Sequence, residues 1–154
     1  MELHSCINYL LSVAQNTVFQ HLNEQLSEYC ITPAQYGVLN CLWSHNCLSP
    51  KQIGEMLRLE ASSISTILDR MQKNDLIVRD IDPNNRRAIL VSATKMAIEM
   101  QKPVEKIIEA MNAFFLDSLS EDERTVLLKA LNAIIDKHPK NRPLDTSESD
   151  RRIT

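Results

Sequence analysis

Glycine is nearly absent from this chain: Gly37 and Gly54 are the two among 154 residues. No Gly-rich phosphate loop of the P-loop or dinucleotide type can be written with them, which excludes nucleotide-dependent enzymes built on those motifs. No run approaches the roughly 18 apolar residues of a membrane-spanning helix. The N-terminus lacks the basic stretch and small-residue cleavage site of a secretory leader, so a cytoplasmic protein is expected. Cys6, Cys30, Cys41 and Cys47 contain no Cys-x-x-Cys pair and read as reduced thiols, not a disulfide framework. No nucleophile–base spacing suggests an enzyme, and no cofactor is implied.

Basic residues are missing from one region altogether. Residues 1–48 hold no Lys or Arg and three acids, whereas residues 49–95 hold eight basic and six acidic residues. Residues 96–154 return to an acidic balance, with nine basic against eleven acidic residues. The net charge of −3 and pI near 5.8 seem to argue against nucleic acid. Local potential decides what a surface attracts, however, and the middle third alone has a basic balance.

With 44% hydrophobic residues the length suits one domain of ordinary size. Leu3, Ile7, Leu10, Leu11, Ala14, Val18, Leu22 and Leu26 mark one face of a helix of about seven turns. Such a stripe calls for an intrachain core or a second copy to cover it. Thr32-Pro33-Ala34-Gln35, Ser49-Pro50-Lys51-Gln52 and Ser120-Glu121-Asp122-Glu123 are capping boxes. They predict helices over about 33–45, 50–58 and 121–137, with proline at the first position of two of them. A further short helix, about 61–73, has Ile64, Ile67, Leu68 and Met71 on its inner face and ends at Asn74-Asp75. Two short helices joined by a tight turn form a helix-turn-helix. Leu76–Ile81 and Arg87–Ser92, joined by Asp82-Pro83-Asn84-Asn85-Arg86, then predict a hairpin, or wing. Helical periodicity returns from Thr94, with Pro103 expected to kink or interrupt it.

The outward positions of the 61–73 helix are Ser62, Ser63, Ser65, Thr66, Asp69, Arg70 and Lys73. Short hydroxyl side chains permit close approach to a major-groove floor, and Arg70 and Lys73 suit phosphates. A plain solvated face is the competing reading. Arg86 and Arg87 beside the hairpin turn suit a minor groove, and Asp82 is expected to pin one guanidinium. Ser49 and Lys51, opening the preceding helix, complete the candidate DNA-binding set.

These segments together resemble the MarR family. The motifs that carry the resemblance are Ile31-Thr32-Pro33-Ala34-Gln35-Tyr36, Leu48-Ser49-Pro50-Lys51-Gln52-Ile53-Gly54, Ser62-Ser63-Ile64-Ser65-Thr66-Ile67-Leu68-Asp69-Arg70-Met71 and Asp82-Pro83-Asn84-Asn85-Arg86-Arg87-Ala88-Ile89-Leu90-Val91-Ser92-Ala93-Thr94. The resemblance implies a mainly α fold with a small β-hairpin wing, in which N- and C-terminal helices form a dimerisation domain. Expected divisions are 1–31 (N-terminal dimerisation helix), 32–94 (DNA-binding domain, helix-turn-helix about 49–73 and wing about 76–92), 95–137 (C-terminal dimerisation helices) and 138–154 (polar tail). It further implies a homodimeric transcriptional regulator, commonly a repressor, on a pseudo-palindromic double-stranded operator, modulated by a small-molecule effector.

The sequence also departs from the family pattern. Asn85 and Ala93 stand where the wing usually has Asp and Leu, and Asp75 where Gly is common. Ala61 and Thr66 stand where many members have arginine, so base readout is expected to lean on hydroxyls, methyl groups and DNA shape. Tyr9, Phe19, Tyr36 and Trp43 are the candidate ligand pocket, although aromatics at helical spacing equally suit a core. Cys6 is the candidate redox group, somewhat like the reactive cysteine of peroxide-sensing members, but residues 1–48 offer no cation to lower its pKa. His4-x-Cys6 and His45-x-Cys47 make a zinc site only if the segments meet; no metal is expected. Redox or metal sensing, and a winged-helix dimer acting by protein or ligand contact without specific DNA recognition, are the alternatives.

Overall fold

A computed structural model describes residues 2–137, and the tail expected over 138–154 lies outside them. Seven helices and one hairpin follow in the order α1 (Ile7–Leu26), α2 (Pro33–Ser44), α3 (Pro50–Leu57), α4 (Ala61–Lys73), β1 (Ile77–Asp82), β2 (Asn85–Ala93), α5 (Lys95–Glu99), α6 (Gln101–Leu116) and α7 (Glu121–Ile135). Among the described residues no helix is long and apolar enough to cross a membrane.

Local cap chemistry sets the helix starts. Thr32, Ser49 and Ser120 each accept a hydrogen bond from the backbone N–H three residues on, while Gln35, Gln52 and Glu123 accept one from the cap residue's own N–H. Each box satisfies two amides that the helix leaves open. Thr94 caps α5 in the same way, accepting from the Ala97 N–H, and its hydroxyl lies 2.7 Å from the Asp75 carbonyl, to which it donates. That bond ties the start of α5 to the turn between α4 and β1.

The first helix differs from the continuous one the apolar stripe predicts. A 3-10 turn over Leu3–Ser5 gives way to extended backbone at Cys6, and α1 begins at Ile7. Proline behaves as expected: α5 ends at Glu99, Met100 caps it, and α6 restarts with Pro103 near its beginning. Proline has no N–H to donate to the Glu99 carbonyl, and its ring crowds that oxygen.

Glycine scarcity leaves a mark on the backbone. Cys30, Arg58 and Asp75 take left-handed conformations, with φ of 55°, 57° and 56°. These end the turn after α1, helix α3 and the turn after α4, where glycine is the unstrained choice. Gly54 answers a different need. A Cβ there would lie 3.2 Å from the Leu59 carbonyl and 3.3 Å from Ile64, so it allows the close approach of α3 and α4.

The core is centred on the helix-turn-helix. Val38, Leu39 and Leu42 of α2, Ile53 of α3, Ile64, Leu68 and Met71 of α4, Ile77 and Val91 of the hairpin, and Val104 of α6 are buried together. The strands pair antiparallel from Ile77 opposite Ala93 to Ile81 opposite Ile89, with an irregularity between Ile81 and Asp82. Leu48 bridges Val91 through two backbone hydrogen bonds, fastening the segment before α3 to β2. Packing then stops short of the flanking helices. Leu26 is the buried residue of α1, and α7 has none. Ile7, Phe114 and Val126 are 58%, 62% and 65% exposed.

Candidate nucleic-acid interface

The turn Arg58-Leu59-Glu60 sets α4 against α3 and leaves one long face of α4 outward. Ile64, Leu68 and Met71 are sealed inward, while Ser62, Ser63, Ser65, Thr66, Asp69, Arg70 and Lys73 are exposed. Unlike α2, α3, α5 and α7, α4 begins without a side-chain cap, since Glu60 supplies no such bond. Its first amides therefore remain available to an external acceptor. Ser49 is half-buried and accepts from Gln52; Lys51 is exposed beside it.

An ion pair that sequence reasoning missed joins α4 to the wing. Arg79 of β1 donates to the Asp69 carboxylate of α4. The Arg79 side chain is 22% exposed and that of Asp69 57%, so the guanidinium is the partner drawn out of water. Its Nε is buried without a hydrogen-bond partner among the described residues. Asp69, Gln72, Lys73 and Arg79 line a cleft of about 300 Å³ at this junction. One signal could have revealed the pair. Ile77, Arg79 and Ile81 share one strand face by alternation, so Arg79 is a charge on the side turned toward α4.

The wing corrects two expectations. Asp82 does not pin a guanidinium; its carboxylate accepts from the Asn84 N–H at 2.8 Å. A backbone amide two residues away is reached without ordering a long side chain, so the local turn wins over the ion pair. Asn85 likewise accepts from the Arg87 N–H at 3.2 Å. The turn is consequently short, and β2 already begins at Asn85. Arg86 and Arg87 lie on the strand beside the turn, both exposed.

Among the described residues two ion pairs form, Arg79–Asp69 and the exposed Lys95–Glu99 at 3.9 Å. Lys51, Arg70, Lys73, Arg86 and Arg87 thus have no carboxylate in ion-pair reach there. Their charge is left to act on whatever meets them, although the whole chain is acidic.

The proposed pocket aromatics are not brought together. Tyr36 and Trp43 lie 6.4 Å apart between ring centroids and pack against the core. Trp43 donates its indole N–H to the Ala97 carbonyl at 3.0 Å, and Asn40 bonds the Tyr36 hydroxyl at 3.3 Å. Burial pushes the Tyr36 phenol up, opposed by the Asn40 bond and reinforced by the Glu105 charge. Tyr9 and Phe19 are exposed on α1 and make no ring contact with that pair among the described residues. They sit on the open side of a long helix, which periodicity alone could not tell from a pocket wall. His21 instead stacks on Phe114 at 5.1 Å and meets Phe115 edge-on at 5.2 Å, joining α1 to α6.

Cys6 is half-buried at the start of α1; Cys30 and Cys47 are exposed, and Cys41 is buried. Burial raises the Cys41 thiol, partly offset by a backbone hydrogen bond. Among the described residues no three His, Cys, Asp or Glu side chains converge as metal ligands, so the His4–Cys6 and His45–Cys47 pairs do not form one site.

Comparison with known proteins places these elements. The profile of the MarR family matches residues 31–89. The organic hydroperoxide resistance transcriptional regulator of Bacillus subtilis is 27% identical over 143 residues, covering 92% of this chain and 95% of the relative. The solved PcaV transcriptional regulator from Streptomyces coelicolor, in complex with its natural ligand, superposes with a TM-score of 0.82 at 26% identity, over 88% of this chain and 96% of that one. A mutant MarR from E. coli complexed with operator DNA has the same fold, with a TM-score of 0.79 at 23% identity over 84% of this chain and 93% of that one.

Proposed function

We propose that the chain, whose residues 31–89 match the MarR family profile, is a winged-helix transcriptional regulator of that type, acting as a cytoplasmic homodimer that represses transcription from a pseudo-palindromic operator under the control of a small-molecule effector. One observation carries this reading: α4 and the wing present Arg70, Lys73, Arg86 and Arg87 outward, with no carboxylate in reach among the described residues. In this reading residues 32–94 are the DNA-binding part, and 1–31 with 95–137 form the dimer. The Ser/Thr strip of α4 lies in the major groove, while Ser49 and Lys51 of α3 and the later turns of α4 hold phosphates. Arg86 and Arg87 enter the flanking minor groove, where negative potential is concentrated. Two-fold symmetry then sets half-sites about one helical turn apart, roughly 34–36 Å.

Support for the dimer is the uncovered apolar surface of α1 and α7. An effector that binds one spacing of the two winged modules better than another shifts the population between DNA-competent and incompetent dimers. Tyr36 and Trp43 of α2, the latter bonded to the Ala97 carbonyl of α5, are the aromatic groups placed to report such a shift.

The test is selection of bound fragments from the source genome, followed by release with small molecules, peroxide or chelator. A fragment recovered with inverted half-sites is the expected result. Recovery of none overturns the DNA reading in favour of a dimer that works through protein or ligand contact. Release by peroxide that is lost in Cys6→Ser assigns control to the thiol instead of an effector, and release by chelator assigns it to a metal.

A further inference from the structure

The outward strip of α4 has two chemically different halves. From Leu59 to Asp69 there is no Lys or Arg, so nothing there offers the two-point donor pair that selects guanine O6 and N7. Arg70 and Lys73 follow only in the later turns. The four short side chains in the first half, Ser62, Ser63, Ser65 and Thr66, are all exposed but not equivalent. The Thr66 hydroxyl donates to the Ser62 carbonyl one turn back, at 3.1 Å. Among the described residues no such bond engages the hydroxyls of Ser62, Ser63 or Ser65.

Threonine carries two heavy groups on Cβ, and each takes a staggered position. With Oγ1 turned back onto the helix, the γ-methyl is what Thr66 offers outward. Its hydroxyl proton is committed, so it cannot donate to guanine O6 or N7 without breaking a helix-internal bond. The major-groove edge of a base pair displays one apolar group, the thymine 5-methyl. A serine at this position could not make the same contact.

Resting on the reading that α4 enters the major groove, we propose that Thr66 is a specificity-determining residue that selects a thymine through contact between the two methyl groups. The neighbouring serines, with free hydroxyls, adapt to donors and acceptors of several bases. Each half-site accordingly carries one thymine whose methyl group matters, at the position facing the second turn of α4.

The experiment uses the full chain and the selected operator, with single thymines replaced by deoxyuridine, which removes the methyl and keeps base pairing. Each such replacement at the thymine facing Thr66 weakens binding about three- to fivefold, the size of one methyl group removed from water. Thr66→Val keeps the sensitivity to deoxyuridine, because the methyl remains. Thr66→Ser loses the sensitivity and binds thymine and uracil duplexes alike. Equal binding of every deoxyuridine duplex by the unaltered chain overturns the proposal, and so does a Thr66→Ser variant that still discriminates. Both results leave DNA binding itself standing, whereas failure to select any fragment removes that reading as well. Should either variant lose helicity, the deoxyuridine series on the unaltered chain still decides.

Discussion

In α4, Ile64, Leu68 and Met71 are sealed into a core with Ile53 of α3 and Val38 and Leu39 of α2, whereas α7 buries none of its residues and α1 buries only Leu26. Both regions are amphipathic helices with well-formed backbones, and Ser120 caps α7 as fully as Ser49 caps α3. Capping and periodicity therefore make a helix without deciding what covers it. The winged module completes its own core within one chain. The flanking helices α1 and α7 leave an apolar side uncovered among the described residues, and in the proposed dimer a second copy of the same helices supplies the missing surface.

Charges placed on α7 give the strongest test of that contrast. Leu128 and Ile135 are seven residues apart, on one face of the helix, and are 54% and 39% exposed. Were this face merely solvated, Leu128→Asp with Ile135→Asp would be nearly neutral. The dimer reading predicts at least a 100-fold weaker association, from two lost apolar side chains and two carboxylates desolvated at the interface. Sedimentation across a concentration series distinguishes the outcomes. The opposite behaviour is expected in the winged module. Leu68→Ala, at a site 1% exposed, removes buried volume and lowers stability by about 3 kcal/mol. Urea unfolding at fixed protein concentration measures it, and a dimer-sized species persists below the transition.

A smaller effect sharpens the boundary between α4 and the wing. Asp69→Asn deprives the mostly buried Arg79 guanidinium of its counter-charge, while Asp69 itself is more than half in water. The loss in stability is expected near 1 kcal/mol, with operator affinity falling further than nonspecific DNA affinity because helix and wing lose their fixed relation. Parallel titrations of operator and scrambled duplex check this; equal losses would show that the pair stabilises without positioning.

What could be read beforehand follows the range of each interaction. The starts of α2, α3 and α7 were legible to the residue because cap and box residue, with a proline between them in α2 and α3, lie within four positions of one another. The hairpin was legible from its turn residues, but its short turn moved Arg86 onto β2 beside Arg87. A hydrogen bond across two residues displaced the expected Asp82–guanidinium pair. Arg79–Asp69 and the Arg124 Nε–H that donates to the Leu116 carbonyl at the end of α6 and the Leu119 carbonyl of the following turn both depend on how elements meet. Neither is written in local spacing. The surroundings of Tyr9 and Phe19, both exposed on α1, were not legible for the same reason, since a stripe does not say which neighbour it faces.

The central claim is that a net-acidic chain binds DNA through a few placed cations. Salt dependence of operator affinity, compared between the unaltered chain and Arg86→Ala with Arg87→Ala, tests it most directly. The account predicts weaker binding and a log–log salt slope shallower by about two per winged module engaged. Unchanged affinity with an unchanged slope would contradict it.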